Sequence, residues 1–228
     1  MKSILAIPAL YSLFSKAIGG NYRARYVEEY VRPVPGSRVM DIGCGTGDIL
    51  SFLPQVDYLG IDVDPHYIRW CQEHFGRSAR FACQDVAQME IEEPGTYDLV
   101  MATGVLHHLT DEQARRMLGL ASRALKPEGR LVTFDGCWIP KQSWIARLLL
   151  HMDRGRFVRP VDGYLDLVSP FFGNIRSHIR HDLLRMPYTH LIPIPFNPTC
   201  RWIDGTSFPA EGNFYVPRVF SPPSTSCV

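Results

Sequence analysis

The stretch at residues 39–50, "VMDIGCGTGDIL", passes from an apolar strand through an acid at Asp41 into a loop with three glycines. Glycine tolerates sharp backbone turns and lets the chain come close to a ligand. The spacing is G-x-G-x-G, at Gly43, Gly45 and Gly47. This pattern predicts a ligand-binding loop that joins a buried strand to the N-terminus of a helix.

The charge of this stretch favours a cationic ligand. Asp41 lies near the end of the strand, and Asp48 lies just inside the predicted helix. A pyrophosphate binds best at a helix N-terminus without competing negative charge, whereas two carboxylates attract an ammonium or sulfonium group. Most dinucleotide sites also use the spacing G-x-G-x-x-G, which this loop lacks. The loop therefore favours S-adenosylmethionine over NAD, with simple support of the loop as the alternative role for Asp41.

Two more acids follow the next two predicted strands. Asp62 ends "YLGID", and Asp85 follows the third strand in "CQDV". A carboxylate about 20 residues after the glycines can accept hydrogen bonds from both ribose hydroxyls of a nucleotide. Asp64, before Pro65, supplies the helix cap that Asp62 would otherwise be assigned. Asp85 is placed to accept from an adenine amine, and a plain turn role for it stays open.

Strands and helices alternate from residue 36 to residue 136, and most of the strands are almost continuously apolar. This pattern is typical of a parallel sheet covered on both faces. The segments "NIRSHIRHDLL" and "YTHLIPI" are expected to pair as an antiparallel hairpin. We predict an α/β, Rossmann-like doubly wound fold, with seven mostly parallel strands and this C-terminal hairpin at the sheet edge. The expected domains are a helical lid at 1–35, the ligand-binding domain at 36–193 and an irregular proline-rich tail at 194–228.

Composition limits the function classes. The chain has 228 residues, of which 46% are hydrophobic and 21% charged, and its formal net charge is +1. We therefore expect one globular domain without the overall basic charge of a nucleic-acid-binding protein. Six cysteines without a C-x-x-C pair predict a reduced, cytoplasmic protein with no metal site. No apolar run reaches the roughly 18 residues of a membrane span, and the N-terminal apolar stretch makes a poor secretory leader.

Five motifs occur in a fixed order over residues 37–135: "VMDIGCGTG", "YLGIDVDP", "FACQDV", "YDLVMATGVLHHL" and "LKPEGRLV". In this order the chain resembles the class I S-adenosylmethionine-dependent methyltransferases, and in particular small-molecule enzymes of bacterial polysaccharide and secondary-metabolite pathways. The resemblance implies S-adenosylmethionine as cofactor and S-adenosylhomocysteine as product. Glu128 replaces a glycine that is usual in the family, in a solvent-facing turn. The implied cofactor-binding residues are Asp41, Gly43, Cys44, Gly45, Gly47, Asp62, Val63, Asp85, Val86, Thr103, Gly104 and Val105.

The expected activity is methyl transfer to a small-molecule acceptor, at a hydroxyl oxygen, by direct in-line displacement. Methylation of nitrogen or carbon and a non-catalytic cofactor-binding scaffold are the alternatives. His107 and His108 follow the fourth strand, where an imidazole can act as a general base or simply shape the loop. Candidate acceptor contacts are Tyr11, Asp135, Arg154 and Arg156, for which core packing, a loop turn and solvated surface are the alternatives. We expect no nucleic-acid partner and no stable membrane insertion; the oligomeric state stays open.

Overall fold

The computed structural model describes residues 21–196 with the exception of Ala87, Glu92, Glu93 and Arg154. Tyr11, Arg154 and most of the predicted tail therefore lie outside the described residues. The helices are α1 (Tyr22–Tyr26), α2 (Pro65–Phe75), α3 (Asp111–Ala124), α4 (Trp144–Met152) and α5 (Val161–Val168). The strands are β1 (Arg38–Ile42), β2 (Asp57–Asp62), β3 (Arg80–Cys83), β4 (Tyr97–Thr103), β5 (Leu125–Trp138), β6 (Arg159–Pro160), β7 (Asn174–Arg180) and β8 (His190–Phe196).

Seven strands form one sheet in the order β3-β2-β1-β4-β5-β8-β7. The strands β1 to β5 are parallel, and β8 runs antiparallel to both of its neighbours. The two-residue strand β6 pairs with the end of β5 off this path. The predicted fold class is confirmed, including the antiparallel hairpin at the edge.

The sheet buries side chains on both faces, which explains the near-continuous apolar strands. In β4, Leu99 and Met101 contribute to one hydrophobic cluster, and Val100 and Ala102 contribute to the other. Successive side chains of a strand point to opposite faces, so both faces require apolar residues. The α3 and α5 helices cover the face of Val100 and Ala102, and α1 covers the face of Leu99 and Met101.

The N-terminal segment packs into the cluster that contains Leu99 and Met101. A π-helical turn, Val27–Val31, continues α1, and Tyr26, Tyr30 and Val31 are buried against the sheet. The described part of the predicted lid, residues 21–35, therefore shares a core with the ligand-binding domain. The domain boundaries themselves stay predictions.

The structure differs from the predicted elements in three places. The helix expected after the glycine loop is a five-residue 3-10 helix, Asp48–Phe52, because Pro54 favours the extended conformation found at Leu53. Residues 126–129, expected as a turn, belong to β5, and the pairing of β5 with β4 shifts its register between Leu125 and Arg130. The β8 strand continues to Phe196, three residues past the predicted boundary at 193.

Among residues 21–196, apart from the four that the structure does not describe, the helices include no candidate for a membrane span.

Candidate functional site

A cavity of about 880 Å³ opens at the carboxyl ends of β1, β2 and β4. This is the edge at which doubly wound sheets bind their ligands. Its lining includes predicted cofactor-binding residues that follow these three strands and β3: Gly43, Gly45, Asp62, Val63, Asp85, Val86, Thr103, Gly104 and Val105. The volume is in the range of small-molecule and cofactor pockets, about 300–1,000 Å³.

The glycine loop requires its glycines for two different reasons. Gly43, Gly45 and Gly47 have φ of +71°, +54° and +66°, a region that residues with a side chain rarely adopt. A Cβ atom on Gly43 would lie 2.5 Å from Cγ2 of Val105. The absence of a side chain on this glycine therefore lets the loop after β1 pack closely against the loop after β4. A Cβ atom on Gly45 would meet no protein atom within 4 Å, because Gly45 borders the cavity.

Asp62 joins the glycine loop to the end of β2. Its Oδ2 accepts a hydrogen bond of 2.9 Å from the backbone N–H of Gly45, and its Oδ1 accepts one of 2.9 Å from that of Asp64. Partial burial raises the pKa of this carboxyl, and the two backbone donors oppose that rise. Each carboxylate oxygen can accept a further hydrogen bond, so Asp62 keeps capacity for hydroxyl donors in the cavity.

Asp41 and Asp48 lie behind the loop rather than in the cavity lining. Asp48 accepts from the Thr46 hydroxyl at 3.0 Å and pairs with Arg23 at 3.8 Å. Asp41 is 3% exposed, and its Oδ2 accepts from the Tyr58 hydroxyl at 2.6 Å. Burial raises the pKa of Asp41 to about 7. Of Asp41, Asp48 and Asp62, only Asp62 lines the cavity. The argument that a carboxylate attracts a cationic ligand therefore applies to Asp62.

The remaining predicted cofactor residues divide between the lining and its support. Asp85 and Val86 line the cavity beyond β3, beside Gln84. Cys44 and Gly47 lie outside the described lining, and the Cys71 thiol beneath them donates to the carbonyl oxygen of Gly45 at 3.2 Å.

A second group of polar residues faces the cavity from the β5 side. His107 Nδ1 lies 2.8 Å from Oδ1 of the buried Asp135, which also accepts from the backbone N–H of His107 at 3.2 Å. On the other side, His107 Nε2 lies 3.6 Å from Oδ1 of Asp153. The Tyr188 hydroxyl donates a short hydrogen bond to Oδ2 of Asp153. An imidazole is thus held between two carboxylates at the cavity wall.

This arrangement changes the pKa values of its members. Burial alone would lower the pKa of His107, but the Asp135 hydrogen bond and the charges of Asp135 and Asp153 outweigh it and raise that pKa. Burial opposes ionisation of Asp153, yet hydrogen bonds from Tyr188 and Gly155 lower its pKa overall. A proton taken up by His107 is therefore stabilised on both sides of the ring.

The segment from Asp153 to Arg159 fixes His107 in place. The backbone of Gly155 lies so close that a Cβ atom there would be 2.1 Å from Cδ2 of His107, and Phe157 N–H donates to the His107 carbonyl at 2.9 Å. Arg159 is 9% exposed and donates to the carbonyl oxygens of Leu106 and Leu109 as well as to Asp111. Arg159, three residues after the acceptor candidate Arg156, is therefore a buried clamp on the loop of His107.

Sequence reasoning missed several cavity residues. Asp153 and Tyr188 were not among its candidates, and neither was the aromatic wall formed by Tyr22, Phe134 and His190. The ring centroids of Phe134 and His190 lie 4.2 Å apart, and burial lowers the pKa of His190 to about 3, so this imidazole is neutral. The only sequence signal was the position of Phe134 near the end of a predicted strand.

The other predicted catalytic and acceptor residues lie in different places relative to the cavity. His108 is exposed and lines the cavity beside His107, whose ring centroid is 4.2 Å away. Asp135 lies behind His107, while Arg156 is exposed and outside the described lining. Tyr11 and Arg154 lie outside the described residues, so their roles stay predictions.

Comparison with known proteins supports the predicted family. Residues 39–129, from β1 through the glycine loop into β5, match the family model described as "Methyltransferase domain". This part of the chain is a methyltransferase domain of the class I S-adenosylmethionine-dependent type. The recognition from the five motifs and the cofactor that it implies are confirmed. The chemistry of the cavity fits this methyltransferase cofactor: the Asp62 carboxylate can accept from hydroxyl donors, Gly45 borders open space, and the described lining contains no lysine or arginine.

The methyltransferase domain is similar to proteins with different acceptors. A ubiquinone biosynthesis O-methyltransferase of Xanthomonas campestris is 29% identical over 103 residues, which are 43% of this chain and 42% of the relative. A protein of Bos taurus named "Probable tRNA methyltransferase 9B" is 32% identical over 110 residues, 48% of this chain and 23% of the relative. The chain thus spans less than half of the length of either relative.

The fold extends beyond the matched motifs. A TehB-like SAM-dependent methyltransferase from Corynebacterium glutamicum superposes with a TM-score of 0.61 at 22% identity, over 84% of this chain and 98% of that chain. This likeness extends beyond residues 39–129, and it concerns the fold.

Two glycines at positive φ, one at the cavity and one away from it, allow a test that separates backbone strain from ligand contact. Gly45→Ala and Gly36→Ala both place a side chain at positive φ in open space, and Gly36 lies away from the cavity. We expect both variants to lose about 1–2 kcal/mol of unfolding free energy, measured by urea titration. In calorimetry only Gly45→Ala should lose affinity for S-adenosylhomocysteine. Equal affinities of the two variants would contradict close cofactor approach at Gly45.

Proposed function

We propose that this protein is an S-adenosylmethionine-dependent methyltransferase that methylates a hydroxyl oxygen of a small-molecule acceptor. The observation that carries the proposal is the His107 imidazole between Asp135 and Asp153, at the wall of the same cavity that Asp62 and the glycine loop border. The cofactor side and the acceptor side of the reaction thus share one enclosed space.

A hydroxyl acceptor is favoured because it needs a base. An alcohol or phenol loses a proton as its oxygen attacks, whereas an amine can attack as the neutral base. His107 Nε2 is the proposed proton acceptor, and its Nδ1 is oriented by Asp135. The imidazolium that forms is stabilised by the neighbouring Asp153 carboxylate.

The chain's residues bind, orient and enclose the reactants. When bound, S-adenosylmethionine supplies a methyl group activated by a sulfonium. Asp62 is proposed to hold the ribose and Asp85 the adenine amine, while Gly104 and Val105 border the methyl-transfer position. Alignment in such an enclosed site can lower a barrier by about 7–11 kcal/mol, and it requires no metal ion.

The aromatic wall supports a planar or apolar acceptor. Tyr22, Phe134 and neutral His190 offer ring faces rather than cations, so the described acceptor side has little attraction for a polyphosphate. A small molecule is therefore proposed in preference to a nucleic acid, although one relative bears a tRNA methyltransferase name. The proposed compartment is the reducing cytoplasm, because the four described cysteines are free thiols.

The proposed function is tested in two steps. Calorimetry with S-adenosylmethionine, S-adenosylhomocysteine and NAD is expected to show micromolar binding of the first two alone. Incubation with isotopically labelled S-adenosylmethionine and panels of phenols, sugars, amines and transfer RNA then identifies the acceptor. Transfer to hydroxylated compounds with stoichiometric S-adenosylhomocysteine supports the proposal. Labelling confined to amines or transfer RNA would overturn it.

A further inference from the structure

The α4 helix carries an exposed apolar stripe beside the cavity. Seven large apolar residues of the described chain are exposed, and four of them lie in this nine-residue helix. Trp144 is 73% exposed, Leu148 49% and Met152 72%, at an i, i+4, i+8 spacing that places them on one face; Ile145 lies next to this stripe. A concentrated patch of this kind marks an interaction surface.

The opposite face of α4 anchors the helix to the fold. Ala146 and Leu150 are buried, and Leu150 packs against Gly136 at the end of β5. Ser143 caps the helix by accepting a hydrogen bond from Ala146 N–H at 3.2 Å. The stripe is therefore presented by a rigidly seated helix.

The exposed charges on and before the helix that carries the stripe are basic, and Asp153, the acid that follows Met152, is only partly exposed and accepts from Tyr188. Residues 139–152 contain Lys141, Arg147 and His151 and no acidic residue. Lys141 and Arg147 are exposed, and so is Arg156, four residues beyond the helix. Tryptophan and leucine on one face with basic residues beside them are the features of helices that lie in the plane of an anionic membrane surface.

We propose that α4 docks this protein onto an anionic lipid bilayer, with Trp144 and Leu148 immersed in the interface and Arg147 and Lys141 against lipid phosphates. The docking is peripheral and does not involve a membrane span. A bilayer is favoured over a protein partner because the patch combines a narrow apolar ridge with exposed basic residues, while the adjacent acid, Asp153, is partly buried against Tyr188 and His107.

The position of Met152 connects this surface to the proposed reaction. Met152 belongs both to the exposed stripe and to the lining of the cavity. A bilayer on α4 would therefore lie at the cavity opening, where an acceptor with an apolar tail could pass from lipid to the site. This consequence rests on the proposed function, whereas the docking itself does not.

The experiment measures flotation of the full chain with vesicles of phosphatidylcholine alone or mixed with phosphatidylglycerol. The Trp144→Ser/Leu148→Ser double variant removes the stripe without touching the cavity lining, and Val34→Ser/Phe52→Ser removes two exposed apolar residues elsewhere as the matched control. We expect the bound fraction on mixed vesicles to fall about tenfold or more in the first variant and to stay unchanged in the control. Arg147→Glu should abolish the preference for phosphatidylglycerol.

Several results would overturn the docking proposal. Equal flotation of both double variants would do so, as would the absence of flotation by folded wild type. Sedimentation that shows wild-type dimers, lost in the Trp144→Ser/Leu148→Ser variant, would assign the stripe to contact between two copies. Calorimetry with S-adenosylhomocysteine on the same samples keeps failure of docking distinct from failure of the proposed function.

Discussion

Replacement of Asp62 by alanine is expected to weaken binding of S-adenosylmethionine and S-adenosylhomocysteine by about 100-fold or more. Two hydrogen bonds from ribose hydroxyls to this carboxylate are proposed, and a hydrogen bond to a charged group contributes roughly 1.5–3 kcal/mol. Asp62 also holds the glycine loop through Gly45 N–H and the next turn through Asp64 N–H. The variant thus loses both a ligand contact and the support of the loop, and titration calorimetry measures the sum.

A control on the same strand separates local from general effects. Asp57 begins β2, is exposed and pairs with Arg38 and Arg80, far along the strand from the cavity. Asp57→Asn is expected to keep wild-type affinity, with a small change in thermal midpoint because surface ion pairs contribute little. If Asp62→Ala remained folded and bound S-adenosylhomocysteine like wild type, the assignment of the ribose acid would be wrong.

The cofactor side was open to prediction because its geometry is local. A glycine at positive φ, an acid at a strand end and a parallel sheet together place Gly45, Asp62 and Asp85 at one edge, whatever the rest of the chain does. The family and the fold class followed from the same motifs. Nine of the twelve predicted cofactor-binding residues line the cavity, whereas Asp41, Cys44 and Gly47 do not, and the assignments stay predictions that the variants above test.

The acceptor side depends on contacts that are distant in sequence. Tyr188 reaches the cavity because β8 inserts between β5 and β7, with Gly136 paired to His190. Asp153 follows α4 and meets Tyr188 across 35 positions of the chain. No local sequence pattern predicts that Tyr188 and Asp153 come together at the cavity. The sequence therefore predicted the hairpin but not which residues near it line the cavity.

Charge was interpreted least well because a sequence does not show burial. Arg159 belongs to a basic run with the appearance of a solvated surface, yet it is buried against three backbone carbonyls and Asp111. Asp41 was predicted to attract a cation, and burial instead raises its pKa to about 7. In both cases the surrounding packing, and not the residue type, determines the role.

Replacement of His107 by glutamine is expected to lower kcat for a hydroxyl acceptor by about 10²–10⁴-fold, the usual contribution of a positioned general base. Glutamine keeps a polar side chain of similar length but cannot take up the proton. Affinity for S-adenosylhomocysteine should change little, since Asp62 and the glycine loop are untouched. His108→Gln, an exposed neighbour of the same type, is expected to retain most of the turnover; steady-state kinetics of both variants make the comparison. Equal losses in the two would argue for a general effect on the loop.

The dependence of kcat on pH tests whether His107 accepts a proton in the reaction. Only the neutral imidazole accepts a proton, so kcat should rise with pH through a pKa that lies above the ordinary histidine value of 6.5. Burial and the nearby Arg159 favour the neutral ring, whereas Asp135 and Asp153 favour the cation. Asp135→Asn keeps an oxygen for the Nδ1–H hydrogen bond but removes the charge, so the midpoint should move to lower pH. A midpoint that did not move would show that another group limits the proton transfer, and a fall of kcat with rising pH would exclude His107 as the base.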